Sequence, residues 1–505
     1  MEKSYTKTTG LDEFAAVREE VERTIGDLKS PGMAGRQHSA LETFINERGE
    51  EYKRRLLQSC LDREANNEEQ LPEVVDAEGV VRNRHRDACQ RNLMSRFGEV
   101  VVTRKGYSTP KKGSLFPLDC QLNLTNDKYS FGLRQCVAEE VAYVSYDHSV
   151  SSIARTTGAK LGKLQAEELA VRAAQDFVSF YQSRQAAEPE ETNDPLIITL
   201  DGKGIVMRQE SLREATRKAA EHERHKIKGS LSKGAKLHRK RMATVSAVYS
   251  IERYVRTPED IMNQDTACAD KKTRPRARNK RVWASVEREA EVVADEAFRE
   301  AIRRDPDKRR LWAVLVDGAE QQLKNIHRAL KQHGAEHSVL ILDFIHAVEY
   351  LWDAARAFEF ESSEITEKWV RERMLLLLKG RASHVAAGLR RSATLRSLSP
   401  EARKPIDTCA DYFLKYSYML RYDQFLAQGF PIATGVIEGA CRSLIKDRMD
   451  ITGARWGLAG AEAVLKLRSL HSSKDFDEYW SYHQVQELDR NHVSHYDSFP
   501  LCQVA

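Results

Sequence analysis

Two acidic residues far apart in the chain have the neighbours that metal-dependent chemistry needs. Asp201 follows the apolar run 196–200 in PLIITLDGKG, and Asp317 follows a second apolar run in LWAVLVDG. Short apolar runs with β-branched residues predict buried strands, and open α/β sheets carry ligands at the carboxyl ends of such strands. On the first segment alone, Asp201 could equally cap a turn made by Gly202 and Gly204. The repeat of the pattern favours a shared site.

The order of the elements predicts where these acids meet. After Asp201, ATVSAVYSI and RYVRTPEDIM are interpreted as two strands and 283–304 as an amphipathic helix, and a further strand ends in Asp343. Three strands, helix, strand, helix, strand is the order of the ribonuclease H-like fold, in which the first and fourth strands are central neighbours. Asp201 and Asp317 would then lie close together. Because two adjacent carboxylates repel, a divalent cation such as Mg²⁺ is predicted between them.

A third acid lies in PIATGVIEGACRSLIKDRMDITGARW, which predicts a helix from about Thr434, a turn at 450–453 and a second helix. Glu438 falls in the first turn, where the helix dipole favours a carboxylate. A lone Glu on a helix is usually a solvated surface group. Here small residues flank it at 433, 435, 439 and 440, which indicates close packing of the helix and an acid directed into a site.

Length and composition set the class of protein. The 505 residues predict two to four domains, and a charged fraction of 31% with a net charge of +5 predicts a soluble, cytoplasmic protein. No apolar run approaches the roughly 20 residues of a membrane span, and the N-terminus lacks a signal-peptide core. The eight cysteines include no CxxC pair, which argues against a zinc ribbon and against a disulfide framework.

Basic residues are concentrated in two segments. The segment 203–241 is dominated by Lys and Arg with few acids after Glu223, and KKTRPRARNKR at 271–281 repeats the pattern, in a loop because of Pro275. Such one-signed runs repel themselves unless a polyanion neutralises them, so nucleic acid is the predicted partner. The residues expected to bind it in these segments are Lys203, Lys226, Lys228, Lys233, Arg239, Lys240, Arg241, Arg276 and Arg278.

The N-terminal part predicts a DNA-binding region. Residues 11–97 have helical periodicity, and 99–124 predict a small β-ribbon with Lys105, Lys111 and Lys112 exposed. In SVSSIARTTGAKLGKLQAEEL, the spacing of Ala154, Gly158 and Leu164 is typical of a helix-turn-helix, with Lys160, Lys163 and Gln165 facing a DNA groove. An ordinary helical hairpin has the same signal.

LDGKG, VLVDGAEQQL, ILDFIHAVEYLW, FPIATGVIEGACRSLIKDRMDITGARW and DEYWSYH resemble the Kra-type family of bacterial insertion-sequence transposases, over about residues 80–482. This family belongs to the DDE superfamily. The resemblance implies a catalytic triad of Asp201, Asp317 and Glu438 that binds two Mg²⁺ or Mn²⁺ ions. Asp343 is the alternative second acid. Related families have Cys and His at the positions of Asp343 and His346, so these two are expected to be supporting residues.

The resemblance implies cleavage at the element's terminal inverted repeats and joining to target DNA, in the bacterial cytoplasm at the nucleoid, by a homodimer at least. Arg442, Lys446 and Arg455 would hold phosphates, and Trp456 would stack on an unpaired base or anchor the second helix. A transposase-derived DNA-binding protein without catalysis, and a structure-selective nuclease of the same fold, remain alternatives.

The predicted fold is multidomain α+β, with a ribonuclease H-like α/β catalytic core interrupted by an all-helical insertion and preceded by a helical, helix-turn-helix DNA-binding region. The expected parts are an N-terminal helical region (1–97), a β-ribbon with helix-turn-helix (98–190), the first part of the core (191–346), the insertion (347–428), the core helix with Glu438 (429–475) and a C-terminal tail (476–505).

Overall fold

The computed structural model describes residues 13–184, 189–223, 239–263, 274–358, 362–451 and 453–497. The chain forms two compact units of mixed α and β structure, one of residues 1–180 with 476–505 and one of residues 181–475. Among the described residues, no helix has both the length and the apolar character needed to cross a bilayer. Three of the predicted DNA-binding residues, Lys226, Lys228 and Lys233, lie outside the described residues.

The first unit begins with helices but soon turns to strands. Its elements up to the hairpin are α1 (Ala15–Lys29), α2 (His38–Asn67), β1 (Val74–Val75), β2 (Val81–Arg82), β3 (Arg84–Ser95) and β4 (Gly98–Ser108). The prediction of helix up to residue 97 is therefore wrong from β1 onward. β4 pairs with β3, which precedes it across a two-residue connection, and not with the segment that follows. A short connection brings two strands together at little entropic cost, and Val100 and Val102 then reach Leu93 and Leu61 in one apolar cluster.

The segment after the hairpin is helical. It contains α3 (Pro117–Gln121), α4 (Phe131–Tyr143), α5 (Tyr146–Thr156), α6 (Lys163–Ala173) and α7 (Phe177–Ser183), and the unit closes with α20 (Phe476–Asn491). Of the three lysines expected on the ribbon, Lys111 and Lys112 are exposed, whereas Lys105 is half-buried and donates to the Glu68 carbonyl.

The packing residues predicted for the helix-turn-helix are wrong. Ala154 is exposed and Leu164 is 61% exposed, while Ile153, Ala166 and Leu169 are buried. The six residues between α5 and α6 set which face of α6 turns inward, and the spacing rule did not include their path. Gly158 is needed for close approach, because a Cβ there would lie 2.4 Å from the Phe97 carbonyl oxygen.

The second unit is built on one mixed sheet. Its strands are β5 (Leu196–Val206), β6 (Lys240–Ser250), β7 (Arg278–Ser285), β8 (Trp312–Val316) and β9 (Val339–Leu342), in the order β7-β6-β5-β8-β9. β6 is antiparallel to both β5 and β7, whereas β5, β8 and β9 are parallel. The predicted neighbourhood of the first and fourth strands is confirmed.

Two local predictions in this sheet are wrong. The segment 253–262 is not a strand: it ends in a helix, α9 (Pro258–Met262), since Thr257 and Asp260 form a capping box at its start. The third strand is β7, which contains Trp283. Gly202 and Gly204 do not form a turn either, because β5 continues through them, paired with β6.

Helices complete the second unit. They are α8 (Glu214–Glu223), α10 (Ala290–Arg304), α11 (Glu320–Gln332), α12 (Phe344–Arg356), α13 (Ser363–Leu378), α14 (Ala382–Leu395), α15 (Pro400–Lys415), α16 (Tyr422–Ala427), α17 (Gly435–Ala440), α18 (Asp447–Met449) and α19 (Leu458–Ser473). A π-helical segment, Cys441–Lys446, joins α17 to α18. The insertion is helical throughout its described residues, as predicted.

α19 covers the β7 edge of the sheet. The Ser473 hydroxyl donates to the Val282 carbonyl and accepts from its N–H, and the buried Glu462 carboxylate accepts from the N–H groups of Val286 and Glu287. β7 has a strand neighbour on one side only, so these contacts satisfy backbone groups that would otherwise be open to another chain.

Trp456 anchors the turn that precedes α19. It is 5% exposed, its indole N–H donates to the Met449 carbonyl, and its backbone bonds with Val206 and Arg208 extend the end of β5. Arg448 lies over its ring at 4.8 Å. The suggestion that Trp456 stacks on a DNA base is therefore wrong, because its ring is enclosed in the core.

Replacing Trp456 with Ala is expected to lower the free energy of unfolding by about 3–5 kcal/mol, since it empties a large core site. Replacing it with Phe keeps most of the volume and should cost about 1–2 kcal/mol, because the Met449 carbonyl loses its donor. Urea denaturation measures both. The exposed Tyr418→Ala is the control and should change stability by roughly 0.5 kcal/mol at most. A Trp456→Phe protein that stays fully stable but loses single-stranded DNA binding would contradict the core role.

Candidate active site

Three aspartates occupy the same level of the parallel part of the sheet. β5 pairs with β8 with Leu196 opposite Trp312, and β8 pairs with β9 with Ala313 opposite Val339. Continuing both registers past the last paired residues places Asp201, Asp317 and Asp343 in one row. Neighbouring strands are about 4.8 Å apart, so the row brings three acids to one edge of the sheet.

Asp201 is half-buried and is held by a thiol. Its Oδ2 accepts a hydrogen bond from Cys441 Sγ at 3.1 Å, and its Oδ1 accepts from the Gly202 N–H at 2.6 Å. Burial and the Asp201 charge both raise the pKa of Cys441 far above its ordinary value, so this thiol stays protonated and remains a donor. The π-helical segment that begins at Cys441 therefore packs directly on the acid of β5.

Asp317 is held mainly through its backbone. Tyrosines of the helical insertion donate to carbonyls at the strand ends: Tyr412 to Asp317, Tyr416 to Gly318 and Tyr422 to Leu342, at 2.8, 2.8 and 3.0 Å. The side chain of Asp317 uses Oδ1 to accept from the Ala319 N–H, at the start of α11. Its Oδ2 has no hydrogen-bond partner in the part of the chain that the structure describes. One carboxylate oxygen is thus left for a ligand.

Asp343 differs from the other two because its hydrogen-bonding capacity is used. It is 2% exposed, its Oδ1 accepts from the N–H groups of Ile345 and Thr434, and its Oδ2 accepts from the Thr434 hydroxyl at 2.6 Å. The residue joins the start of α12 to the residue that precedes α17. Such a carboxylate positions other groups, which favours Asp317 over Asp343 as the second ligand.

Glu438 lies one turn after Thr434 on α17, which packs against β5 and β6. Partial desolvation and the charges of Asp343, Glu349 and Asp201 raise the pKa of Glu438, while nearby His346 lowers it less. Thr434, which precedes α17, donates two hydrogen bonds to Asp343 and so holds the start of the helix. These bonds help to fix the position of Glu438 relative to Asp201. His346 is partly exposed, with its Nδ1 3.6 Å from Glu349.

The three acids predicted to bind metal do not form a compact ligand group. Asp201, Asp317 and Glu438 do not each place an oxygen within 4.8 Å of the other two, so they do not form a single-ion cluster. In a two-ion site the central carboxylate touches ions about 3.5–4 Å apart, and each outer carboxylate needs to reach only one of them. Asp201 lies level with Asp317 on the neighbouring strand, and its charge is one of three that raise the pKa of Glu438. The donors are carboxylate oxygens, which suit Mg²⁺ or Mn²⁺.

One other group could hold a metal ion. Asp176, His483 and Glu487, all buried in the first unit, have ligand atoms within 4.8 Å of one another. Arg490 pairs with both carboxylates and Arg134 pairs with Glu487. Two guanidinium groups already compensate the two acids, so the group is better interpreted as a buried ion-pair network. None of these residues was singled out from the sequence.

The described parts of the two basic segments lie at opposite ends of the sheet. Lys203 follows Asp201 on β5, and Lys240 and Arg241 pair with residues beyond it. Arg278 is level with Leu196, at the other end of β5. Arg239, Lys240, Arg276 and Arg278 are exposed. Arg241 was predicted to bind DNA, but its guanidinium donates to the carbonyls of Val286, Ser211 and Glu287, so it stabilises a loop.

The remaining predicted DNA contacts are exposed polar groups. Lys203, Arg442, Lys446 and Arg455 have exposed side chains in the second unit. In the first unit Lys160 is exposed, Gln165 is half-buried, and Lys163 pairs with Asp147 at 2.7 Å.

Sequence reasoning missed the residues that hold the acids in place. Thr434, Cys441 and Tyr412 act through hydrogen bonds to residues 91, 240 and 95 positions away. Tyr412 and Tyr416 have the i,i+4 spacing of one helix face, which was a readable signal of a shared partner. Nothing in the sequence indicated that the partner is the backbone of the Asp317 loop.

Replacing Glu438 with Gln is expected to stabilise the metal-free protein at pH 8, by up to about 1 kcal/mol because the group is exposed. The pKa of Glu438 is raised on folding, so ionised Glu438 opposes folding above that pKa, and the difference should shrink as the pH falls below it. Urea denaturation in EDTA at several pH values measures this. Glu336→Gln, an exposed acid away from the row, is the control, and an equal response of both variants would refute the coupling.

Replacing Gly318 with Ala is expected to cost about 1–3 kcal/mol and to disturb the Asp317 loop. The residue has φ +88°, and a Cβ there would lie 2.9 Å from the Tyr412 hydroxyl. Gly388, in α14, has open space around it and serves as the control, because Gly388→Ala should be neutral or stabilising. Thermal unfolding of both variants tests the assignment, which fails if Gly318→Ala is the better tolerated.

Comparison of the chain with models of known protein families and with curated proteins finds no match. The resemblance to Kra-type transposases therefore stays a prediction. The arguments for a function come from the row of acids, the helix that carries Glu438 and the distribution of positive charge.

Proposed function

We propose that the protein is a DDE transposase, which cleaves DNA at the terminal inverted repeats of its insertion sequence and joins the ends to target DNA. The observation that carries the proposal is the equal register of Asp201 and Asp317 on adjacent parallel strands, with Glu438 on a helix that packs against the first of these strands. An edge that concentrates acids in this way suits divalent ions and repels a bare phosphate backbone.

The strand order supports a ribonuclease H-like core. Three consecutive antiparallel strands are followed by two parallel ones, with the first strand in the middle, and α10 and α11 precede β8 and β9 respectively. Asp201 lies within the first strand, and Asp317 directly follows the fourth. The helical insertion then separates this sheet from the Glu438 helix in sequence only.

In the proposed reaction Asp201, Asp317 and Glu438 would hold two Mg²⁺ or Mn²⁺ ions. Such ions, when bound, activate the attacking water or 3′-hydroxyl and stabilise the leaving oxygen. The chain's own contribution is orientation: Cys441 holds Asp201, the insertion tyrosines hold the Asp317 loop, and Asp343 holds the start of the Glu438 helix. No side chain has to form a covalent intermediate.

Exposed cations supply the proposed DNA surface. Lys203, two residues beyond Asp201, and Arg442, Lys446 and Arg455 on the Glu438 segment would contact phosphates of the strand being cut. Lys160, which precedes α6, and Lys163, its first residue, would contribute to binding the inverted repeat. Joining both ends of an element requires at least two copies, so the acting form is proposed to be a homodimer on DNA in the cytoplasm.

The decisive test is nicking and joining of DNA that carries the element's terminal inverted repeats, in Mg²⁺. We expect Asp201→Asn, Asp317→Asn and Glu438→Gln each to lower the rate at least about 10³-fold, since each removes charge that compensates the ions in the transition state. Asp343→Asn should retain DNA binding and lose less activity, because its role is positional. Glu336→Gln serves as the exposed-acid control.

The outcomes separate the alternatives. Binding without cleavage under any metal condition would identify a DNA-binding protein, and cleavage without covalent joint products would identify a nuclease. If Asp343→Asn were inactive while Asp317→Asn kept its rate, the second ligand would be Asp343. Full activity of Asp201→Asn would refute the site altogether.

A further inference from the structure

A cavity of about 640 Å³ lies in the second unit, at the end of the sheet away from the acids. Its lining includes Arg278, which is level with Ser250 and, across β6, with Leu196. Asp201 lies five residues farther along β5, about 17 Å away at roughly 3.3 Å per residue. The cavity is therefore separate from the candidate active site, and its volume falls in the range of small-molecule sites.

The residues that line the cavity carry more positive than negative charge. Seven basic and three acidic residues line it, and Arg278 also pairs with Asp194 and Glu252 outside the lining. The buried carboxylate of Glu300 is shared by Arg281, Arg303 and Arg304, with nearest N···O distances of 2.7, 2.8 and 2.7 Å. These arginines hold the pKa of Glu300 well below its usual range. One carboxylate cannot neutralise three guanidinium groups, and Glu190, which pairs with Arg304, also serves Arg310.

Donors in the cavity remain available. Lys280 and Lys474 are exposed, and neither ammonium group has a hydrogen bond or an ion pair in the part of the chain that the structure describes. The buried Nε of Arg281 also lacks a hydrogen-bond partner. The Arg281 guanidinium lies 3.5 Å from the ring centroid of Tyr181 and 4.4 Å from that of Trp283, so its plane is held in place before any ligand arrives.

We propose that this cavity is a phosphate-binding site. An anion with several oxygen acceptors satisfies both the free donors and the charge excess, and guanidinium groups match phosphate geometry particularly well. The three arginines around the buried Glu300 lie close together, and their mutual repulsion is costly unless an anion offsets it. The phosphate belongs either to a nucleic-acid strand, which would give the protein a second DNA contact remote from the acids, or to a small phosphate compound.

The site does not depend on the proposed cleavage reaction, so it is tested by binding in EDTA with the full chain. The variant is Lys280→Gln with Lys474→Asn, which removes two exposed charges. Asn is chosen at 474 because Lys474 has φ +64°, a conformation that Asn tolerates. The control is Lys331→Gln with Lys404→Gln, two exposed lysines of the same unit outside the cavity. Circular dichroism confirms that both proteins are folded.

Two probes distinguish the source of the phosphate. Binding of a fluorescent DNA oligonucleotide is measured across salt concentrations, and binding of inorganic pyrophosphate is measured by calorimetry. If the ligand is a DNA strand, the cavity variant weakens DNA binding and lowers the slope of log K against log[salt] by about 2, one per lost phosphate contact. If the ligand is a small phosphate compound, the wild type binds pyrophosphate and the cavity variant binds it at least tenfold more weakly.

Either result supports the site, provided that the control double variant keeps the wild-type values. The proposal is overturned if the cavity and control variants behave alike with both probes. Loss of cleavage activity in Asp201→Asn would leave these binding results unaffected, so failure of the phosphate site and failure of the proposed function can be told apart.

Discussion

The parallel pairing of β5 with β8 is the interaction on which the rest of the second unit depends. It brings two aspartates that are 116 positions apart in sequence to the same level of neighbouring strands. Such proximity is unfavourable for bare carboxylates. Partial desolvation and the charges of Asp343, Glu349 and Asp201 also raise the pKa of Glu438. The buried apolar strands below the row, from Leu196 to Leu200 and from Trp312 to Val316, provide the stability that holds the acids there.

A second layer of hydrogen bonds holds the row in place. The helical insertion could be regarded as an appendage of the sheet, yet Tyr412, Tyr416 and Tyr422 each donate to a backbone carbonyl at the end of a strand. Asp343 acts on the other side, through Thr434, on the helix that carries Glu438. The insertion and the Asp343 contact thus join parts of the chain that local sequence keeps apart, and they leave little freedom for the acids to separate.

The distribution of charge divides the sheet into two ends with different chemistry. Acids with exposed lysine and arginine nearby lie at the Asp201 end, and a cavity with an excess of arginine and lysine lies at the Arg278 end. A long polyanion could contact both ends, and a small one only the second. α19 covers the β7 edge of the sheet at Val282 and Val286, which disfavours strand addition there.

The sequence by itself determined the two buried apolar runs that lead to Asp201 and Asp317 and the adjacency of their strands. It also determined the helical character of the insertion and the two helices on either side of the turn that follows Glu438. These follow from local hydrophobic patterns and from the few ways in which strands and helices can be connected. It failed where long-range packing overrides local propensity. β3 replaced an expected helix because β4 needed a partner, Trp456 became a core anchor, and Arg241 bonded carbonyls in place of phosphates.

Only the tertiary structure decided that Asp343 accepts three hydrogen bonds whereas Oδ2 of Asp317 accepts none from the described residues, and that the described parts of the two basic segments lie at opposite ends of one sheet. The physical reason is that hydrogen-bond partners such as Thr434 and register partners such as Leu196 and Ser250 are set by the assembled fold, and residue types in sequence do not encode which distant group completes each bond.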